Sequence, residues 1–354
     1  MMRSSHFTRR IFLSSAAAAS TGIVLCSAKS APAATTLVIT DPGGDWQAAA
    51  REAYYEPFQK ASGIDVNFAD RPSLALGQLK AMVDTHNVSW DVTELSDYLM
   101  YRAGKTGLLE PLHYASMNTS GMLKDALMPY GVGNDAYGTV MAYSTKKWPA
   151  GQGPKTWADF WDVEKFPGRR AMSGIGYGPL EFALLADGVP KDKLYPIDTN
   201  RALASMSKIK PHVDVWWTTG AQQTQLMLDG EVDLIQGWNG RFYGAISKGA
   251  PYHIEWNQGM YQWEGWVIPK GTPHLADAQK FIEFAMRPKQ QAIFAERIPY
   301  GPSNQQTFSY LPANRRDLLP TYGPNLKKLF RADAEWLADN LATITAAWTK
   351  WRAG

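Results

Sequence analysis

The stretch QGWNGRFYGA, Gln236 to Ala245, puts Trp238 three residues ahead of Arg241, just after GEVDLI reads as a turn entering a strand. A guanidinium beside a pocket indole is suited to holding a carboxylate or another planar anion bidentately. The same Arg at a helix start could instead point outward as surface charge, so the surrounding fold decides between the two. Motifs for catalysis are lacking elsewhere. His86, His113, His212, His253 and His274 are scattered without metal-ligand spacing, and no Cys accompanies them. No GxSxG elbow, HExxH or Walker loop occurs. Gly174, Gly176 and Gly178 echo a phosphate loop, but the Lys and Ser/Thr that a nucleotide needs do not follow. These residues predict no catalytic group, no metal and no cofactor.

The elements that must position such a pair follow from length and pattern. A chain of 354 residues exceeds one ordinary core, so two domains or lobes are expected. Apolar residues at 45% and charged residues at 19% fit a globular protein. Fourteen Trp are more than a core of this size usually needs, and they point to a ligand-facing surface.

The beginning of the chain reads as an address. MMRSSHFTRR is basic, IFLSSAAAASTGIVL is apolar but too short and Ser/Ala-rich to span a membrane, and Ala31-Pro32-Ala33 offers a cleavage pattern. Arg9-Arg10 in TRRIFL resembles the twin-arginine export signal, and residues 1–33 are expected to be removed on export to the periplasm. Cys26, the one cysteine, follows Leu25 rather than the small residue a lipid-attachment site prefers, and is expected to leave with the signal. Taking Arg3, Arg9, Arg10 and Lys29 from 36 basic residues leaves 32 against 33 acids. The basic character then vanishes, and with it the electrostatic case for nucleic-acid binding.

Beyond the signal, TTLVIT, IDVNFAD and WDVTELS read as strands alternating with helical stretches, which predicts a mostly parallel α/β sheet. The first helix is expected to be capped by Asp45 and closed by Gly63. AYGTVMAYSTKKW carries a further strand. A second α/β region runs through RRAMSG, VDVWWTT and VDLIQGW, and QWEGWVIPKGT reads as a strand. The tail predicts two helical stretches within NLKKLFRADAEWLADNLATITAAWTKW.

In this order and spacing the segments resemble the polyamine-binding branch of the periplasmic solute-binding proteins that serve ABC importers. ITDPGGDW leads into a helix ending FQKASGIDV. WDVTELSDY precedes GLLEPL, and YSTKK precedes PKTWADFWD. LDGEVDLIQGWNG precedes a return strand ending WVIPKGTPH, and YGPSN follows. The resemblance implies an α/β, two-lobed periplasmic binding protein (type II) with two crossing hinge strands and C-terminal helices. Lobe one would be residues 35–142 with the return segment 267–304, lobe two residues 143–266, and residues 305–354 the helices that pack across. It implies a small-molecule solute and a membrane permease as partners, no nucleic acid, and a monomer.

The resemblance also carries site residues. Asp45 and Trp46 stand in the first loop, Ser96 and Tyr98 after the third strand, and Trp217 and Trp238 at strand ends of the second lobe. Trp263 and Glu264 lie in the return strand and Tyr300 in YGPSN. Polyamine binders carry an acidic pair in the turn that here reads MSGIGYGPLEF, with no acid before Glu181, so one ammonium partner is missing. Arg241 would repel a polyamine there. Arg241 as anion clamp, Glu264 as ammonium clamp and Trp238 between them describe a site for a short zwitterion. That is similar to the subgroup binding 4-aminobutyrate, whose acid is the shorter Asp. The alternatives are a polyamine-binding protein of the same fold, and an exported carbohydrate-active enzyme or sugar-binding protein, since Trp-rich clefts also bind sugars.

Overall fold

The structure, a computed structural model, describes residues 35–72 and 75–354. The expected export signal, 1–33, lies outside them. Strand β1 (Thr36–Asp41) buries Leu37 and Ile39 and turns at Asp-Pro-Gly-Gly into helix α1 (Gly44–Ala50). Here Gly43, not Asp45, occupies the N-cap position, at φ 77° and with no side-chain cap. Its N–H donates to Asp41 Oδ1 at 2.8 Å, and a Cβ there would lie 2.7 Å from the Asp70 carboxylate, so only glycine fits. Asp45 sits exposed in the first turn. A π-turn over Arg51–Tyr55 connects α1 to α2 (Glu56–Ser62), which ends as expected at left-handed Gly63.

Next come β2 (Asp65–Asp70), α3 (Ala75–Asp84), β3 (Val92–Ser96) and α4 (Asp97–Lys105). The short β4 (Leu127–Met128) folds back on β5 (Gly131–Ser144), which begins five residues before the predicted strand. Helix α5 (Trp157–Trp161) has a capping box between Thr156 and Asp159. The second α/β region contains β6 (Arg170–Ser173), α6 (Leu180–Ala186), α7 (Thr199–Ile209), β7 (Val215–Trp217), α8 (Gly220–Leu228), β8 (Leu234–Trp238) and α9 (Asn239–Ile246). Strand β9 (Tyr252–Val267) follows, ten residues longer at its start than the pattern indicates. Helices α10 (Leu275–Ala285) and α11 (Pro288–Arg297) and strand β10 (Gly301–Pro302) precede the short α12 (Ala313–Arg316) and α13 (Gly323–Leu326). The chain ends with β11 (Phe330–Arg331) and the 20-residue α14 (Ala334–Ala353).

The main strand order is β2-β1-β3-β9-β5-β8-β6-β7. β1 is parallel to both neighbours, as is β6, so each flank is a three-stranded parallel unit of the kind short βα links produce. Between them β5 and β9 run antiparallel from Gly131↔Val267 to Ser144↔Tyr252, with register shifts on the way. The parallel expectation therefore holds for the flanks and gives way at this central pair.

The tail departs from two helices. Its first stretch makes only the single turn α13, because Phe330 and Arg331 extend to pair in parallel with Met260 and Tyr261 of β9. Helix α14 buries Leu337, Ile344 and Trp348, and Lys105 of α4 reaches its Asp339 at 2.7 Å and Glu335 at 3.3 Å.

Candidate functional site

Register brings polar groups of three strands onto one face. Side chains of directly paired residues share a side of the sheet, and alternate residues repeat it. Glu264 pairs with Asp135 on β5 and with Ser96 on β3, and Glu94 pairs with Trp266. Glu94, Ser96, Asp135, Tyr137, Gln262, Glu264 and Trp266 thus lie together. Trp263, one residue along, faces the other way. It is fully buried, with its Nε1 donating to Asp125 at 3.3 Å.

Three carboxylates therefore meet over a mostly aromatic floor. Glu94 and Asp135 are buried and Glu264 is half-buried. Trp46, a site residue implied by the resemblance, is buried as part of that floor. Its ring meets Trp266 edge-on at 5.5 Å and Phe294 at 5.1 Å, and its Nε1 donates to Asp135 Oδ2 at 3.3 Å. Asn134 Nδ2 donates to the same oxygen at 3.1 Å. Arg71, just past β2, places Nη2 3.2 Å from Glu94 Oε2.

Burial dominates the electrostatics, since it penalises each charged form, and the neighbouring carboxylates add to it. The Glu94 carboxyl is pushed up to about 7 by burial, against the pull of Arg71. Glu264 is raised well above the usual range by burial and the Glu94 charge, and Asp135 likewise. Tyr98 of α4 and Tyr137 of β5 are both held high, first by burial and also by the Glu264 charge. Tyr137 Oη donates to Gln262 Oε1 at 3.1 Å.

The WNGR segment is organised residue by residue. Trp238 ends β8 opposite Thr139, four positions along β5 from Asp135, or about 13 Å at the rise of a strand. It is half-buried and packs edge-on against the buried Trp217 at 5.2 Å, whose Nε1 donates to the Gln236 carbonyl at 2.7 Å. The buried Asn239 accepts from the Gly138 N–H at 2.8 Å and donates to the Pro299 carbonyl at 2.8 Å, so it ties β5 to the loop carrying Tyr300. Gly240 lets Tyr300 approach: a Cβ would stand 2.7 Å from Tyr300 Cε1. Arg241, the third residue of α9, is exposed, and its Nε would lie 2.5 Å from a Cβ on Gly220. The guanidinium thus rests on a glycine at the start of α8.

Tyr300 connects the two ends. Burial and the Asp135 charge push its hydroxyl up to about 12, Arg241 pulls it down, and Glu264 and Glu94 raise it further. A cation at one end and three carboxylates at the other act on the same phenol. The structure gathers Ser96, Tyr98, Glu264 and Tyr300 at this face, with Trp238 and Arg241 at its far end. Asp45 is exposed on α1, Trp217 backs Trp238 from inside the core, and Trp263 belongs to the opposite face. Sequence reasoning missed Arg71, Glu94, Asp135, Tyr137 and Asn239. Glu94 and Asp135 had a signal, each the one charged residue in a strand otherwise free of charge. Among the described residues no group of three His, Cys, Asp or Glu is arranged to hold a metal, and no helix is long and apolar enough to cross a membrane.

Parallel α/β flanks joined by two long antiparallel central strands give the architecture of solute-binding α/β proteins. The chain belongs to the family described as bacterial extracellular solute-binding protein, which it matches over residues 53–309. It is 36% identical over 338 residues to a gamma-aminobutyric acid-binding protein of Pseudomonas aeruginosa, covering 94% of this chain and 95% of that one. It is 25% identical over 279 residues to the spermidine/putrescine-binding periplasmic protein of Escherichia coli, covering 75% and 78%. Among solved structures, an ABC transporter substrate-binding protein from Bradyrhizobium japonicum superposes with a TM-score of 0.81 at 38% identity, covering 90% and 99%. A GABA receptor superposes with a TM-score of 0.81 at 32% identity, covering 90% and 98%. These relatives are solute-binding proteins rather than enzymes.

Proposed function

We propose that this protein is the periplasmic capture component of an ABC importer and binds a short zwitterionic ω-amino acid such as 4-aminobutyrate. Arg241 takes the solute carboxylate, Glu264 takes the ammonium, and Trp238, Tyr98, Tyr137 and Tyr300 wall the methylenes. The observation that carries this reading is Tyr300, whose ring lies against Gly240, next to Arg241, and 6.4 Å from the ring of Tyr137, two residues along β5 from Asp135. Asp135 and Thr139, the residue opposite Trp238, lie four positions apart on β5, about 13 Å, a span that suits a short chain. The similarity to the gamma-aminobutyric acid-binding protein of P. aeruginosa supports the same class. On this reading residues 35–142 with 267–304 and residues 143–266 act as two lobes that close about β5 and β9. Closure removes the ion pairs from water, where they strengthen, and presents the loaded form to the permease.

A polyamine such as putrescine is the second reading. It is favoured by one observation, the excess of three carboxylates over the single Arg71 in the cluster. Calorimetric titration of the exported protein with 4-aminobutyrate, longer and shorter ω-amino acids, putrescine, spermidine and simple sugars decides between them. Saturating 4-aminobutyrate should raise the melting temperature, since ligand at a hundred times Kd adds about 2.7 kcal/mol. Arg241→Ala should cost about 1.5–3 kcal/mol, roughly 10- to 150-fold in Kd, for the amino acid and nothing for putrescine. Tighter binding of putrescine than of any ω-amino acid would overturn the zwitterion reading.

A further inference from the structure

Among the described residues, eight of the fourteen buried side-chain N and O atoms without a hydrogen-bond partner lie in one place. They are Tyr54 Oη, Arg71 Nε, both oxygens of Glu94, Asn134 Oδ1, Asp135 Oδ1, Glu264 Oε2 and Trp266 Nε1. Unpartnered buried polar groups cost about 1–3 kcal/mol each, so such a concentration marks a functional locus rather than scattered packing faults. Glu264 and Arg71 are the members that reach solvent. Glu94 and Asp135 stand behind Glu264, one on each neighbouring strand.

Charge balance then constrains the cluster. The charged or titratable groups facing Glu264 are Glu94 from β3, Tyr98 from α4, Asp135 and Tyr137 from β5, Arg71 beyond β2, and Tyr300 before β10. Asp41, from β1, acts on Glu94. One guanidinium faces three carboxyl groups in a water-poor interior, where like charges cannot all be ionised together. Glu264 lies diagonally across the β3–β9 pairing from Glu94 on the same face of the sheet, so their charges repel in an interior that Arg71 alone offsets.

Resting on the reading that Glu264 receives the solute's ammonium, we propose that Glu94 and Asp135 are positioning residues that make capture an exchange, one proton leaving the cluster for each ammonium bound. The step balances: a carboxylic acid and an ammonium ion become a carboxylate–ammonium pair, and the proton passes to bulk water. Selectivity follows as well. A neutral solute of the same shape cannot replace the departing proton's charge, so the cluster rejects it.

Calorimetry of the exported protein at about pH 7, in buffers of differing ionisation enthalpy, tests this with 4-aminobutyrate and putrescine in parallel. We expect about one proton released per solute, and an affinity that rises with pH toward about tenfold per unit. Glu94→Gln and Asp135→Asn should release fewer protons and flatten that profile. Arg241→Ala should weaken 4-aminobutyrate while leaving the proton count unchanged. Heats independent of buffer, together with a flat pH profile, would overturn the proposal. Proton release with putrescine but no binding of 4-aminobutyrate would sustain it and remove the zwitterion reading. If neither solute binds, melting of the empty protein decides: the wild type should lose stability as pH rises from about 5 to about 8 and Glu94→Gln should lose less. Equal slopes would overturn it.

Discussion

Gly240 shows how one hydrogen atom can set the place of a neighbouring ring. The Tyr300 ring lies against its Cα, and a methyl group there would press on Cε1 at 2.7 Å. Gly240→Ala should displace that ring at an overpacking cost of about 1–3 kcal/mol. By titration it should lose about tenfold in solute affinity, while the chain still folds. Asn239 next to it makes the opposite kind of contribution, since its amide spans from β5 to the loop before Tyr300. Asn239→Ala leaves the Gly138 N–H and the Pro299 carbonyl without their partner and should lower unfolding free energy by about 1–3 kcal/mol in a denaturant series. Trp238 and Arg241 stand out in the sequence because both sit in one short stretch at the end of a strand, which the structure shows as the end of β8 and the start of α9. The place of Glu94 and Asp135 was not legible, for they join Glu264 only through register between strands separated by more than a hundred residues of chain. Their acidity was visible, but their convergence was not.

At the scale of elements, local pattern predicted most helices and strands of the flanks, where each unit is short and its caps lie nearby. It failed where partners are distant. Residues 252–261 of β9 read poorly as a strand because Gln258 and Gly259 interrupt the alternation, yet pairing with β5 extends it. The pattern also joined α13 and β11 into a helix, because contact with β9 is absent from local propensity. Helix α14 was legible from its length and periodicity. Its Leu337 is fully buried in the core cluster that includes Trp157, Phe182 and Phe330. Leu337→Ala should therefore cost about 2–5 kcal/mol in thermal or chemical unfolding. Substituting Lys105, whose ion pairs with α14 are exposed, should cost little.

For the whole molecule, the buried acids tie stability to pH. The Glu94 carboxyl has an ordinary value of 4.5 and is pushed up to about 7 in the folded chain, and Asp97, buried beside Arg331, is raised from 3.8 to about 6. Between those limits the folded chain holds protons that the unfolded chain has lost. Their contribution is complete below the unfolded values and declines as pH climbs through 6 and 7. The melting temperature of the empty protein should fall over that interval, and saturating amine solute should offset much of the fall. The edge-on contact of Trp217 with Trp238, 5.2 Å apart at 67°, has an optical consequence. Two indoles so close and so inclined couple their electronic transitions, and Trp238 stands at the end of the surface proposed to receive the solute. The protein therefore carries an intrinsic chromophore pair whose near-ultraviolet circular dichroism should change on filling, so that occupancy can be followed without a label.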